Sequence, residues 1–332
     1  MDRYKPTLKT YMLVVGLVLL ISLPPVATAL EENFYIGFVS RILIYALAAV
    51  SLDLIIGFGG MVSFGHAAYF GAGAYVVGIL SYHGVEGSAF INWPFFVGGT
   101  ENALILWPAA ILISAILALV IGAISLRTSG VYFIMITLAF AQMMYFFFTS
   151  LEKYGGDDGL SMFARNRVAG LDMSSDTSFY YLCLGLLIGF ILLCHRLVNS
   201  RFGMVIRGNK ENETRMRALG FEPYRYKLVC FVISSAGAGL AGALIANQTE
   251  FVSPSLMHWS VSGEIMVMVI LGGVGTIIGP VFGAATLLLL EEILSQYTEH
   301  WMLFLGPFLV FVVLFARRGL YGSLIGRKVN NG

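Results

Sequence analysis

The sequence predicts an all-α, polytopic membrane protein with about ten transmembrane helices, some of them short or broken at glycine-rich turns. Of its 332 residues, 58% are hydrophobic and only 12% are charged, whereas soluble domains carry about 25% charged residues. Apolar runs recur from one end of the chain to the other, and a run of about 20 apolar residues can cross a bilayer as a helix. A membrane β-barrel would instead show alternating segments of about 10 residues.

The apolar runs divide into candidate spans separated by polar or glycine-rich segments. In chain order, these spans are Tyr11–Leu30, Gly37–Gly57, Val62–Tyr82, Ala103–Leu126, Gly130–Thr149, Phe179–Val198, Leu228–Gln248, Leu256–Gly272, Thr276–Glu291 and Trp301–Ala316. The first span follows a basic tail and contains Pro24 and Pro25 near its end, a pattern that cleavable signal peptides also show. We favour a retained membrane anchor, because every later span is retained as well.

The stretch Leu256–Glu291 allows two interpretations. One long helix would leave the basic C-terminal end of the chain outside the cell, whereas two short helices place it in the cytoplasm, as the positive-inside rule prefers. A glycine cluster at residues 272–275 and the pair Gly279-Pro280 interrupt the stretch, and neither residue type favours a helix interior. We therefore predict two helices.

The most polar stretch of the chain, residues 199–227, sets the predicted orientation. It carries seven Lys or Arg residues and three Glu between two apolar spans. Each Lys or Arg at the bilayer centre costs about 2.5–3.5 kcal/mol on the insertion scale, so this stretch must lie in water. The excess of Lys and Arg places it in the cytoplasm, and the alternation of spans then places both termini there.

This orientation organises the chain as one membrane domain. Residues 1–10 form a basic cytoplasmic tail, residues 11–316 the membrane domain and residues 317–332 a second cytoplasmic tail. The loops 83–102 and 150–178 are predicted to lie outside, and both are too short to form a folded domain of their own. The partner that composition implies directly is membrane lipid, and nothing in the sequence points to nucleic acid.

Two glycine clusters are predicted to break helices at the cytoplasmic face. Gly59 and Gly60 precede one helix rich in small residues, and Gly272, Gly273 and Gly275 precede another. Their similarity suggests an internal repeat, as in many transporters built from duplicated halves. Neither cluster is a nucleotide-binding loop, because the pattern G-x-x-x-x-G-K-[ST] occurs nowhere in the chain. We expect no cofactor and no ATP hydrolysis on this chain.

A few polar side chains predicted at membrane depth are the candidates for a translocation path. They are Ser63, His66, Thr137, Gln142, Gln248 and Glu264. Ionisable groups inside a membrane are costly and often functional, although interhelical hydrogen bonds or an ion pair would also explain them. Gln248, Glu250 and Glu264 are expected to cluster at the outer ends of the seventh and eighth helices, with Glu264 the most buried of the three. We expect no catalytic residue and no metal site, since the three cysteines have no paired spacing.

Several longer motifs resemble one family closely and occur in its order. They are residues 51–57 and 63–75, Gly155-Gly156-Asp157-Asp158-Gly159-Leu160-Ser161, Arg217-Ala218-Leu219-Gly220, Phe251-Val252-Ser253-Pro254, residues 271–280 and Arg318-Gly319-Leu320-Tyr321-Gly322. Together they resemble the LivM-type permease subunits of branched-chain amino acid ABC importers over nearly the whole chain after Ala46. Two positions depart from the family: Asp53 stands where Asn is usual, and a Pro is missing before Arg318.

The resemblance implies a function and a set of partners. Such a permease is a non-enzymatic subunit of the bacterial inner membrane that moves branched-chain amino acids inward by alternating access. It pairs with a second, related permease and with two cytoplasmic ATPase subunits, which hold ATP and Mg, and it receives substrate from an extracytoplasmic binding protein. Related permeases carry urea and short amides, so this substrate class stays open.

The resemblance also implies that the cytoplasmic loop contains a coupling helix that docks on an ATPase subunit. Carried over to this chain, the coupling residues are Glu211, Glu213, Arg215, Arg217, Ala218, Leu219 and Gly220. Gly220 would end this helix, Pro223 would prevent its continuation and Asn209 or Asn212 would cap its start. The alternative is a basic loop that only sets the topology.

Two other functional classes compete with an ATP-driven permease. An ion-coupled secondary transporter also uses broken helices, but it would be expected to show paired intramembrane carboxylates, and Glu264 alone is weak support. An intramembrane enzyme would need a reactive centre around His66, where only Ser63 is near in sequence. The missing nucleotide loop and the family motifs favour a permease that depends on separate ATPase subunits.

Overall fold

The structure is a computed structural model, and it describes residues 8–32, 34–91, 97–168, 172–298, 300, 303, 305–308, 310 and 319–325. Its α-helices are α1 (Leu8–Ala29), α2 (Phe34–Asp53), α3 (His66–Glu86), α4 (Ala103–Ser125), α5 (Val131–Thr149), α6 (Asp176–Val198), α7 (Arg201–Glu211), α8 (Glu213–Ala218), α9 (Pro223–Thr249), α10 (Trp259–Gly272), α11 (Gly279–Tyr297) and α12 (Gly319–Ile325). Two small antiparallel pairs join β1 (Ala89–Ile91) to β2 (Val97–Gly98) and β3 (Leu160–Ser161) to β4 (Phe251–Val252).

The predicted all-α polytopic fold is confirmed. Within the described residues, helices occupy nine of the ten predicted spans, and the tenth, Trp301–Ala316, lies mostly outside those residues. Five helical segments are long and apolar enough to cross a membrane by themselves, namely Phe34–Phe58, Ala103–Ser125, Val131–Thr149, Asp176–Val198 and Pro223–Thr249. The stretch 256–291 forms two helices, α10 and α11, with the glycine cluster between them.

Helix α9 forms the centre of the bundle and packs against α2, α3 and α4. Its residues from Ser234 to Asn247 are almost all buried, and most of them are Gly, Ala or Ser. Small side chains allow close approach: a side chain at Gly73 of α3 would overlap the backbone carbonyl of Gly239 in α9. In a membrane, where lipid competes for apolar contacts, such close packing is a main source of helix association.

Two consecutive prolines inside α1 explain how this helix contacts the bundle. Pro24 and Pro25 have no backbone N–H, so the carbonyls of Leu20 and Ile21, four residues earlier, lose their helical donors. The hydroxyls of Tyr180 and Tyr181 in α6 donate to these two carbonyls, at 2.7 and 3.0 Å. The freed backbone groups are thus satisfied by a neighbouring helix, as the membrane requires.

Helix α2 continues into a π-helical turn, Leu54–Phe58, and the chain then runs in a non-helical turn up to Gly65. Helix α3 therefore begins at His66, four residues later than the predicted start at Val62, so Ser63 lies in the turn. Asp53 is buried at the junction with the π-helical turn. Such turns occur often at functional sites.

The helix ends gather into two groups at opposite ends of the bundle. At the first, the basic-loop end, the turn after α2, the α4–α5 turn, the segment 199–227 and the α10–α11 turn lie together. At the second, the opposite end, loops 83–102 and 150–178 contact each other and the start of β4. The loops that the sequence places on one side of the membrane therefore share one end.

Candidate functional site

Helix α7 was not predicted, and it anchors the segment 199–227 to the bundle. Ser200 caps its start by accepting a hydrogen bond from the backbone N–H of Gly203. Val205, Ile206 and Asn209 face inward and are buried, at the spacing of one helical face. The charge of this segment suggested a loop, but the same spacing in the sequence would have indicated an amphipathic helix.

Helix α8 coincides with the predicted coupling helix and has none of its residues buried. It begins after Asn212, whose side chain accepts a hydrogen bond from the N–H of Arg215 at 2.9 Å. Asn212 therefore provides the cap, and Asn209, the other candidate, lies buried in α7. The chain leaves α8 through Gly220, whose φ of +88° favours glycine, and α9 begins at Pro223. Glu211 belongs to the end of α7 rather than to this helix.

One acidic residue of α8 ties the helix to the bundle. The carboxylate of Glu213 accepts hydrogen bonds from Lys227 in α9 at 2.5 Å and from Arg217 at 2.7 Å. The ammonium group of Lys227 is the main cause that holds the pKa of Glu213 below its ordinary value. Because Glu213 is about one-third exposed, solvent screens this tie, and α8 is held more loosely than α7.

The surface between α7 and α8 is apolar as well as exposed. Met204 in α7 and Leu219 after α8 are 57% and 66% exposed. A cavity of about 690 Å³ lies beside them and is lined by Met216, Phe221 and Tyr226, among others. Exposed apolar side chains rimmed by arginines are typical of a protein-docking surface.

The basic-loop segment also contacts the two glycine turns. The Lys210 ammonium, at the end of α7, donates to the backbone carbonyl of Gly57 at 2.7 Å. Beside it, Asp53 accepts a hydrogen bond from the N–H of Gly275 at 2.7 Å. A Cβ atom at Gly57 would lie 2.5 Å from the nitrogen of Gly275, so the backbones touch. We call Asp53, Gly57, Lys210 and Gly275 the glycine-turn junction.

The predicted helix-breaking glycines lie at or beside this junction. Gly59 and Gly60 follow the π-helical turn, Gly272 ends α10, and Gly273 and Gly275 follow it with positive φ angles. The sequence placed both turns on one side of the membrane. It gave no sign that Asp53 bridges them, because the bonded residues are 222 positions apart.

Three of the predicted path residues lie together and are fully buried. Ser63, His66 and Thr137 each have 0% exposure. The Thr137 hydroxyl accepts a hydrogen bond from the N–H of Phe64 at 3.3 Å, and Nε2 of His66 lies 2.8 Å from the Ser51 hydroxyl. Because that hydroxyl donates its own proton to the carbonyl of Ala48, it accepts a hydrogen bond from His66. His66 therefore carries its ring proton on Nε2. His66 thus bonds α3 to α2, Thr137 bonds α5 to the turn before α3, and Ser63 accepts from the N–H of Gly65 within that turn. All three side chains are closed off from solvent in this conformation.

The other three predicted path residues lie apart from this group. Gln142 is partly buried in α5. Gln248 lies at the far end of α9, where its side-chain amide donates to the carbonyl of Gly37 at 3.0 Å. Glu264, expected to be more buried than Gln248 and Glu250, is exposed on the surface of α10. That expectation was wrong because no other described segment covers this side of α10, although α10 packs against α2 and α11.

The opposite end carries a polar cavity of about 1030 Å³. Asn166 lies in the chain between two lining residues, Arg165 and Arg167. Its side chain bonds that of Asn247 at 2.8 Å, and both are buried. Arg165 pairs with Asp176 at 2.6 Å, lies 3.7 Å from Glu250 and stacks over the ring of Phe179. These bonds fasten loop 150–178 to α6 and α9, so this end of the protein has a preformed surface.

Comparisons with known proteins agree on one kind of protein. A family model described as "Branched-chain amino acid transport system / permease component" matches residues 34–314. The chain is 27% identical to the high-affinity branched-chain amino acid transport system permease protein LivM of Salmonella typhimurium, over 84% of this chain and 68% of the relative. It is 25% identical to a probable LivM permease of Methanocaldococcus jannaschii, over 80% and 83% of the two chains.

The chain is also similar to permeases of the LivH type. It is 25% identical to the high-affinity branched-chain amino acid transport system permease protein LivH of Salmonella typhimurium, over 86% of this chain and 93% of the relative. No solved structure is significantly similar to this chain.

Proposed function

The chain belongs to the family of branched-chain amino acid transport system permease components, and on that premise we propose that it is the LivM-type permease of an ATP-driven importer. It moves branched-chain amino acids inward across the bacterial inner membrane by alternating access. The basic-loop end then faces the cytoplasm, and the opposite end receives substrate from a binding protein.

We propose that ATP and Mg are bound by two partner ATPase subunits and that a second, LivH-like permease completes the membrane part. Similarity to both LivM and LivH relatives supports such a pair. The relatives are transport components rather than enzymes, in keeping with a chain that performs no covalent chemistry.

The observation that carries this proposal is the form of α8. It is a short, capped helix without a buried residue, and α7 connects it to the glycine-turn junction through Lys210. An exposed helix of this kind is stabilised little by packing against its own chain, so its side chains are available to contact a partner. If an ATPase moved α8, the movement would be transmitted through α7 to both glycine turns.

Reconstitution of the complete transporter in liposomes tests the proposal. With the second permease, the ATPases and the binding protein present, we expect leucine uptake that requires ATP and continues when ion gradients are abolished. Valine and isoleucine should compete with labelled leucine. Competition by urea or acetamide instead would move the substrate to the amide class, and uptake driven by an ion gradient alone would contradict the proposal.

A further inference from the structure

Three charged side chains lie at membrane depth on one surface of the chain. Arg41 belongs to α2, Glu264 to α10 and Glu291 to α11, and these three helices pack against one another. At 1.5 Å per residue, each lies about 8–10 Å along its helix from the opposite end of the bundle. Because these helices occupy three of the predicted spans, we infer that the three side chains lie within a hydrocarbon layer about 30 Å thick, nearer to one of its surfaces.

These side chains do not face the interior of their own chain. Glu264 is exposed, and the side chains of Arg41 and Glu291 are 42% and 31% exposed. Contact with lipid would be unfavourable for each such charge, with a cost that reaches about 2.5–3.5 kcal/mol at the bilayer centre on the insertion scale. Charged residues in membrane helices almost always face a bundle interior or a water-filled cavity. This surface therefore faces water or another subunit in the working protein.

The charges are only partly matched to each other. Arg41 lies 3.9 Å from the carboxylate of Glu291, longer than a direct hydrogen bond. Glu264 interacts with both groups electrostatically, but in the part of the chain that the structure describes it forms no ion pair within 4.0 Å. With one cation and two carboxylates, the cluster lacks one positive charge.

The surface next to Glu264 has room and an apolar continuation. Nothing lies within 4 Å of the position that a Cβ atom of Gly263 would occupy. Val267, which is partly buried, and Ile270, which is 40% exposed, follow Glu264 at intervals of three residues, the spacing of an inclined row of side chains on a helix surface. The strip thus begins with charges of both signs and ends with aliphatic side chains.

We propose that Arg41 and Glu264 bind the charged ends of a zwitterionic α-amino acid on a path shared with the second permease. Glu264 takes the ammonium group, Arg41 takes the carboxylate, and the substrate side chain lies along Val267 and Ile270. Glu291 holds Arg41 in place. This assignment rests on the proposed function. It adds a site on this chain for the α-ammonium and α-carboxylate groups, which all amino acid substrates share.

The test uses the complete transporter with saturating binding protein and leucine. We expect Glu264→Gln to lower the uptake rate at least tenfold, with unchanged co-purification of the second permease, and Glu264→Asp to restore most of it. The matched control is Glu292→Gln, one position from Glu291 on a different face of α11, which should transport as the wild type does. Arg41→Gln should reduce by at least tenfold the preference for leucine over leucinamide, which lacks the carboxylate.

Each alternative outcome identifies what has failed. Uptake by Glu264→Gln at the wild-type rate would overturn the site while leaving the proposed function in place. Loss of the second permease from the purified Glu264→Gln complex would also overturn it, because the charge would then be an intersubunit ion pair. A wild-type complex that cannot take up leucine with ATP would instead refute the proposed function.

Discussion

Helices α7 and α8 are neighbours in one polar segment, yet the structure holds them in different ways. Helix α7 buries Val205 and Ile206 against the bundle, and Lys210 at its end bonds the glycine-turn junction. Helix α8 buries nothing and depends on one cap and one partly exposed acidic residue. The comparison teaches that one segment combines a helix anchored to the bundle, α7, with an exposed helix available for docking, α8. Each can be altered by mutation without changing the other.

The largest expected effect comes from disrupting the backbone packing of the glycine-turn junction, which α7 contacts through Lys210. In the variant Gly57→Ala, the new methyl group meets the backbone of Gly275, and such overpacking costs about 1–3 kcal/mol. Thermal unfolding in detergent should therefore occur at a clearly lower temperature. Gly185→Ala is the matched control, since nothing lies within 4 Å of its Cβ position. Equal losses in the two variants would show that the junction is not tightly packed.

A smaller effect is expected from loosening α7 without moving the backbone. Lys210→Met keeps the side-chain stem but removes the donor to the carbonyl of Gly57. Hydrogen bonds of charged groups contribute about 1.5–3 kcal/mol, and the exposure of Lys210 reduces the expected loss to about 1 kcal/mol. Amide hydrogen exchange in α7 should accelerate. Exchange in the control Arg201→Met, changed at an exposed position of α7, should match the wild type. Unchanged exchange in Lys210→Met would contradict the claim that Lys210 anchors α7 to the glycine-turn junction.

The cap of α8 gives a comparable effect that is confined to α8. Asn212→Ala removes the acceptor for the N–H of Arg215, at a cost of about 1 kcal/mol. Hydrogen exchange in α8 should become about fivefold faster, the factor that corresponds to this energy. Asn212→Ser keeps a capping oxygen and should behave as the wild type. Faster exchange in α7 as well would mean that the two helices unfold as one unit.

The smallest effect should appear in the pH dependence of α8. Because bonding to Lys227 lowers the pKa of Glu213 in the folded protein, this tie stabilises α8 above the ordinary pKa of Glu. The stabilisation is lost as the pH falls below the ordinary pKa of Glu and through the lowered pKa of Glu213. A spin label at Thr214 should become more mobile over that range. In Glu213→Gln the mobility should not change with pH, and a change there would assign the transition to another group.

Features that depend on local physics could be predicted from the sequence. Hydropathy indicated the helices, Asn212, Gly220 and Pro223 indicated the limits of α8, and the glycine clusters indicated the breaks around α10. These features depend on residues that are near one another in the chain. The high charge of residues 199–227 indicated a loop, whereas the spacing of their apolar residues is typical of an amphipathic helix such as α7.

Features that depend on packing between distant segments were not predictable. The bond between Asp53 and Gly275 needs two turns 222 residues apart to meet. Glu264 was misplaced because α10 is apolar on nearly all sides, and the pattern of such a helix does not indicate which face turns outward. Burial of a polar group there depends on how α10 packs against α2 and α11.

The central claim, that α8 couples this permease to an ATPase, is tested most directly by cross-linking. Cysteines at Arg215 and Ala218, both exposed on α8, would be combined with a short thiol cross-linker in the assembled transporter. The native cysteines Cys183, Cys194 and Cys230 are buried. A cysteine at Thr128, in the α4–α5 turn of the same end, is the control. We predict cross-links to an ATPase subunit from α8 that change in yield with ATP, whereas failure of both α8 positions to reach an ATPase would contradict the claim.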